Sequence, residues 1–490
     1  MDKLLDPRAH LQSGFDAANR DDWARAIAHL RVAVAAAPQL AEGWMHFGSA
    51  LQHVGRLDEA ERVARQALAI SPGLVGAHNV LALIDIDRAR FDQAMGHARR
   101  AIELDPRYSG SWVNLGVAQT GAARDDEAAA SLARALELEP ASAIAHYNLG
   151  ALRHAQGRHA QAMRHYREAI RLDPRQRPAH GNLALALFST GAFEEAWSEY
   201  RWREERPRYE KMLRRDGRAR VAIHAEQGLG DLLFFLRFAG ALRASGATLD
   251  FVGDARLHGM LARTGLFEAF ARRLEDLPEG DRDVVLAGDL PREVPGLAAT
   301  TPPPLALAPE ARRSAGVRSR LEALGPPPYI ALAWRAGEPR AGRIVRLFKQ
   351  VPPEALGEAL RGVKATWITV QRDPSREELD RISKSLGAPL HDWSAINADL
   401  EEALAVMAAI DDYAGVSSTL VHLRAGVGGR ARILVPFPPE WRWMESGEAS
   451  PWFPRAITYR QSADGDWGTA LARLAADQRA QGGAAPGSTP

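Results

Sequence analysis

A step of 34 residues runs through the first two hundred positions and constrains the fold more than any other feature. Pro38, Pro72, Pro106, Pro140 and Pro174 keep the step, and so do Trp44, His78, Trp112, His146 and His180. Two small-residue series share it: Gly14, Gly48, Ala82, Gly116, Gly150, Ala184, and Ala60, Ala94, Ala128, Ala162, Ala196. Four registers locked together require one structural unit copied about six times, from about residue 7 to about residue 206. In the copy Ala41–Pro72, apolar and small residues recur at helical spacing over Trp44–His53 and Asp58–Ile70, with Gly55 between them. Pro72 ends the second helix, because proline cannot continue one. Gly48 and Ala60 predict a close approach of the two helices. Each copy is then a helical hairpin that buries its open side only by stacking on the next.

Hairpins of this length, with W-x2-L-G visible in SWVNLG and its His variant in HYNLG, resemble the tetratricopeptide repeat family. The resemblance implies a solenoid over residues 1–206 that holds a protein or peptide on its concave face. Asn114, Asn148 and Asn182 share one repeat position, two after the Trp/His. An amide both donates and accepts, so a row of them could grip the backbone of an extended peptide. This is similar to the asparagine ladder of eukaryotic O-GlcNAc transferase. The alternative is that Asn at this position serves helix packing.

After Pro207 the period stops. Val221–Ala225 reads as a strand, Gln227-Gly228-Leu229-Gly230-Asp231 as a glycine turn, and Leu232–Leu242 as a helix, the opening of a Rossmann-like unit. The full G-x-G-x-x-G is absent, so dinucleotide binding is not supported. Strands are expected at Thr248–Val252 and Val284–Ala287, with a helix near Ala255–Thr264. Proline-rich Thr300–Pro304 and Pro326–Pro328 flank a linker. A second series follows, with strands at Tyr329–Trp334, Ala365–Val370, Asp412–Val416 and Arg432–Pro436. Its helices are expected at Pro353–Leu360, Arg376–Leu386, Leu400–Ala409 and Thr419–Gly426. The expected domains are therefore a first half at 207–325 and a second at 326–480, with 481–490 a disordered tail. The last helix, Trp467–Arg479, could cross back to the first half.

Composition narrows the function classes. Lys+Arg 62 against Asp+Glu 61 leaves +1, so no bulk charge drives the chain onto nucleic acid or anionic membrane. Cys is zero, which excludes disulfides, Cys–zinc sites, Fe–S clusters and thiol catalysis. No His/Asp/Glu spacing suggests a metal site. No run of 18 apolar residues exists and Met1–Arg20 lacks a signal core, so a cytoplasmic location is the expectation.

The segments AEQGLGD, ALAWRAG, FKQVP, TVQRD, VSSTLVHLRAG and PPEWRWMESGEASPWFP resemble the GT-B glycosyltransferase domain that follows tetratricopeptide repeats in many bacterial proteins. That domain is similar to the heptosyltransferase family (glycosyltransferase family 9), and more distantly to O-GlcNAc transferase and SPINDLY. The resemblance implies an α/β GT-B fold of two Rossmann-like halves behind the solenoid. It also implies inverting, metal-independent transfer of a sugar from a nucleotide-sugar substrate to an acceptor hydroxyl, with no further cofactor. The alternative is a non-catalytic scaffold with a degenerate transferase-like part.

Such a transfer needs a base for the acceptor proton and positive groups for the departing diphosphate. Asp231 matches the family's Gly-Asp carboxylate; alternatively it only caps its helix. Lys349 of Lys349-Gln350-Val351-Pro352 resembles the K-x-W-P lysine on the donor phosphates, and only five of the basic residues are Lys. Arg335, Arg343 and Arg346 are supporting charges. Ser417, Ser418, Thr419 and His422 lie where a strand meets a helix N-terminus, which favours anions. The family pattern there is D-T-x-x-x-H-L, so Ser417 stands in place of aspartate. Gln371 ends a strand where it could touch the nucleotide. Trp441, Trp443 and Trp452 are read as packing residues.

Overall fold

Two of the 34-residue registers exist because they bond to each other. Trp44 Nε1 donates to the carbonyl of Pro38 at 2.8 Å, and Trp112 Nε1 to that of Pro106 at 3.0 Å. His78 and His146 place Nε2 3.2 Å from the carbonyls of Pro72 and Pro140. Either ring can present an N–H six residues after the proline, so Trp and His alternate without changing the repeat.

The computed structural model describes residues 6–203, 206–337 and 349–482. Arg343, Arg346 and the tail from residue 483 lie outside them. Among the described residues, twelve helices run from Pro7–Ala18 to Phe193–Tyr200. The copy that begins at Ala41 holds helices Ala41–His53 and Leu57–Ile70, joined through Gly55 at φ +76°. A Cβ on Gly48 would sit 3.4 Å from the Ala60 carbonyl oxygen, and Ala60 is fully buried, as the small-residue registers predict.

The chain forms two compact units that divide between Ala179 and His180. The first is the solenoid. The second begins earlier than the change of sequence pattern near 206 suggests, so the helix Phe193–Tyr200 groups with the α/β part. Trp197 explains this. It is 1% exposed and stands against Phe235, Phe238, Trp441 and Trp452 at ring distances of 5.7–6.2 Å.

Histidines make the solenoid acid-sensitive. Nδ1 atoms face each other at 3.4 Å in His78–His97 and 3.2 Å in His146–His165. Burial holds His78, His97 and His165 below the ordinary value. Burial, aided by His159, takes His154 down to about 4. The unfolded chain therefore binds more protons as pH falls through about 6.5, and the solenoid loses stability. His154 alone contributes about 1.5 kcal/mol of that loss between pH 6.5 and 5. Urea unfolding followed by the helical circular dichroism signal should show a lower midpoint at pH 5 than at pH 7. An unchanged midpoint would show these rings to be solvated.

In the second unit, strands β1 (Arg220–His224), β2 (Thr248–Val252), β3 (Phe267–Ala271) and β4 (Asp283–Leu286) form a parallel sheet in the order β3-β2-β1-β4. A second sheet begins with β5 (Tyr329–Ala333). A short antiparallel pair, β6 (Arg335–Ala336) and β7 (Lys349–Gln350), follows it. The second sheet continues with β8 (Thr366–Thr369), β9 (Leu390–Asp392), β10 (Asp412–Val416), β11 (Ala431–Val435) and β12 (Ala456–Arg460). Its order is β12-β11-β10-β5-β8-β9, all parallel. Gly415 lets β10 approach β5 closely, since a Cβ there would lie 2.4 Å from the Ala333 carbonyl oxygen.

The helices expected at Pro353–Leu360, Arg376–Leu386, Leu400–Ala409 and Thr419–Gly426 are present with those bounds. The final helix, Gly468–Gly482, corrects the reading that it could cross to the first half. Trp467, Leu471 and Leu474 join Leu356, Leu360 and Tyr459 in the core of the second half.

Candidate functional site

Both sheets reverse their strand order at an identifiable place. The second builds β5, β8 and β9 outward on one side, then returns to build β10, β11 and β12 on the other. The connections leaving β5 and β10 therefore run in opposite directions and leave a crevice at the carboxyl ends of those strands. The same happens between β1 and β4 in the first sheet. The sequence candidates stand at these ends. Asp231 follows β1; Arg335 and Lys349 follow β5; Ser417–Thr419 follow β10; Gln371 follows β8. The turn before Asp231 lies on the helix after β10, since a Cβ on Gly230 would come within 3.3 Å of His422 Cδ2 and 3.4 Å of Thr419 Oγ1.

Charges of alternating sign link Asp231 to Lys349. Arg442 donates from Nη2 to Asp231 Oδ1 and from Nη1 to Glu440 Oε1. The other oxygen, Glu440 Oε2, lies 2.6 Å from Lys349 Nζ. Glu440 and Arg442 are buried, while the Asp231 side chain is 45% exposed. Burial pushes the Glu440 carboxyl up, but the Lys349 ammonium and the Arg442 guanidinium outweigh it and hold it well below the usual range. The Arg442 guanidinium lies over the rings of Trp441 and Phe234 at 4.4 and 4.8 Å, which fixes its plane. Asp231 does not cap its helix: Gly228 occupies the N-cap, and Asp231 is in the first turn.

A second buried network adjoins the first. Arg203 reaches Glu226, after β1, and Asp289, after β4, each at 2.7 Å. Tyr200 joins the networks electrostatically. Burial raises its phenol above the ordinary value, and Arg203, Asp231, Arg442 and Glu226 all act on it.

The other candidates are more committed. The Arg335 guanidinium forks onto Glu378, at 2.8 and 3.0 Å, and holds that carboxyl down to about 2. Gln371 accepts from the backbone N–H of Trp334 and Arg335 at 2.9 Å and donates to the carbonyls of Arg335 and Arg372 at 3.1 Å. Its amide thus braces the loop after β5. Ser417 is buried, and Ser418 is the N-cap residue of the helix Thr419–Gly426 without a side-chain capping bond. Burial, then Arg442 and Arg237, take the His422 imidazole well below its ordinary value, so it is neutral. Trp441, Trp443 and Trp452 are buried, which suits packing. In the solenoid, Asn114 donates to Asn79 Oδ1 at 3.0 Å and Asn148 to the Ile144 carbonyl at 2.8 Å. Asn182 is half-buried in the helix Arg177–Thr190.

Sequence reasoning singled out neither Glu440, Arg442, Arg203 nor Tyr200. The signal for the first two was present: a Glu-x-Arg framed by Trp441 and Trp443, directly after a buried strand. Among the described residues, no group of three His, Asp or Glu could hold a metal ion, and no helix is long and apolar enough to cross a membrane. A groove of about 710 Å³ lies at the amino-terminal ends of the central strands β5 and β10, lined by Ile330 and Asp412.

The tetratricopeptide repeat family matches the chain at residues 13–75 and 143–176, so the chain carries such repeats. Protein FlbA of Caulobacter vibrioides is 26% identical over 278 residues, which is 52% of this chain and 46% of FlbA. The match thus spans less than half the length of that relative. Similar solved structures include TTC0263, a thermophilic tetratricopeptide repeat protein of Thermus thermophilus. It is 23% identical, with a TM-score of 0.35, covering 37% of this chain and 98% of that one. YrrB, a tetratricopeptide repeat protein with an unusual peptide-binding site, is 19% identical, with a TM-score of 0.27, covering 35% and 88%.

Proposed function

We propose that the α/β unit is a GT-B glycosyltransferase similar to glycosyltransferase family 9. It moves a sugar from a nucleotide-sugar donor to a hydroxyl of a protein or glycan acceptor that the repeats recruit, in the cytoplasm. One observation carries the reading: a partly exposed carboxylate and a lysine stand at the carboxyl-end crevices of two facing parallel sheets, joined by a continuous run of charges.

In this reading Asp231 accepts the proton of the acceptor hydroxyl as the oxygen attacks the anomeric carbon. The bond from that carbon to the diphosphate breaks, and the leaving group departs with the electron pair. Lys349 and the backbone N–H groups at the start of the helix Thr419–Gly426 stabilise the developing charge. Ser418 and Thr419 add hydroxyl donors there. Gln371 and Arg335 act indirectly by holding the loop that carries the donor side.

The test is calorimetric titration with ADP, GDP, UDP and CDP. One of them should bind, and Lys349→Ala should weaken it by about 1.5–3 kcal/mol. Binding of none by the intact chain would remove the transferase reading. The second reading, a repeat scaffold with a degenerate transferase part, is favoured by Ser417 in the aspartate position and by the commitment of Arg335 to Glu378. In either reading a protein or peptide is the partner of the repeats. Asn114 and Asn148 each spend one of their two amide N–H donors inside the repeats, which leaves the second N–H and the amide oxygen for such a segment.

A further inference from the structure

Three cations converge on His422. Arg442, Arg237 and Lys349 all act on that ring, and Glu440 is the carboxylate that opposes them. Arg237 is buried, and its guanidinium donates to the carbonyls of Phe234, Pro302 and Trp452. Among the described residues it has no carboxylate partner. Arg442 holds two carboxylates, yet its Nε is buried without a hydrogen-bond partner. A buried guanidinium N–H left without an acceptor is costly until an anion completes it.

Glu440 shows where that anion fits. Its two oxygens touch Lys349 on one side and Arg442 on the other, so a single carboxylate brackets both cations. All three charges of the bracket act on His422, which lies in the helix that follows β10 at the reversal point of the second sheet. We propose that Arg442 is a second cation for the donor's diphosphate, set beside Lys349 by Glu440, and that the diphosphate draws it away from Asp231. This rests on the transferase reading and deepens it. While Arg442 donates to Asp231 Oδ1, the guanidinium occupies the oxygen that would meet the acceptor hydroxyl. Losing Arg442 to the donor leaves Asp231 free to act as the base only once the donor is in place. Donor therefore binds before acceptor, and Asp231 competes with the diphosphate for one guanidinium.

The experiment uses the intact chain and the nucleoside diphosphate that the wild type binds, measured calorimetrically without any transfer. Arg442→Gln should weaken affinity about 10–100-fold, and Arg442→Lys should recover part of it. Asp231→Asn should tighten binding several-fold, because the competitor is gone. Melting curves identify a variant that has not folded, and Asp231→Asn, at a partly exposed position, then decides. Wild-type affinity in both Arg442→Gln and Asp231→Asn overturns the proposal while a loss in Lys349→Ala leaves the donor site standing. A wild type that binds no nucleoside diphosphate overturns both.

Discussion

Asp231→Asn should leave a folded chain that binds donor but transfers sugar about 10²–10⁴-fold more slowly, the usual cost of losing a general base. The amide keeps the shape of the carboxylate and cannot take a proton. Stability should change by about 1 kcal/mol or less. Asp231 is 45% exposed and caps nothing, and Arg442 keeps Glu440 and its two aromatic faces. Turnover and melting temperature must be measured on the same preparation. Equal turnover in the two proteins would remove Asp231 from the chemistry, and a collapse in melting temperature would make it structural.

Trp197→Ala should destabilise the second unit by about 3–5 kcal/mol, the range for emptying a large aromatic site. Its ring lies 4.2 Å from Phe188 and about 6 Å from Phe235, Phe238, Trp441 and Trp452, so the cavity opens among side chains that cannot collapse into it. A fragment beginning at residue 207 suffers more. It loses Trp197 and Phe188, and without Arg203 the buried Glu226 has, among the described residues, no guanidinium partner and Asp289 keeps only Arg215. A fragment beginning at 180 keeps all of these. The expected result is cooperative unfolding and a near-ultraviolet dichroism signal from 180–490, and neither from 207–490. Equal unfolding midpoints for the two fragments would place the structural boundary at 206 after all.

That boundary shows what the sequence could not reveal. The 34-residue pattern persists to Ala196 because Phe193–Tyr200 is built as a repeat helix, yet its Trp197 packs on the α/β part. Periodicity reports local structure and is silent about which neighbour a helix packs on. Turn chemistry and apolar runs located the long second-half helices closely, because each is framed by proline, glycine or a capping residue such as Ser375. The strands Phe267–Ala271, Leu390–Asp392 and Ala456–Arg460 escaped notice. All three are edge strands, with exposed or polar positions that blur an apolar run. The helix Ala311–Leu324 was hidden by its polar composition, since it buries only Val317 and Leu321. In the site, Asp231 and Lys349 were legible as motif positions. Their connection was not, because Arg442 lies 211 residues from Asp231 in the chain.

The most direct test of the central claim is release of nucleoside diphosphate from a panel of nucleotide sugars by the intact chain, with and without polypeptides captured on its repeats. The account predicts release from one donor class, stimulated by a captured polypeptide and lost in Asp231→Asn. A chain that holds its polypeptide partner through the repeats, yet neither binds nor cleaves any nucleotide sugar, would contradict it and leave a scaffold.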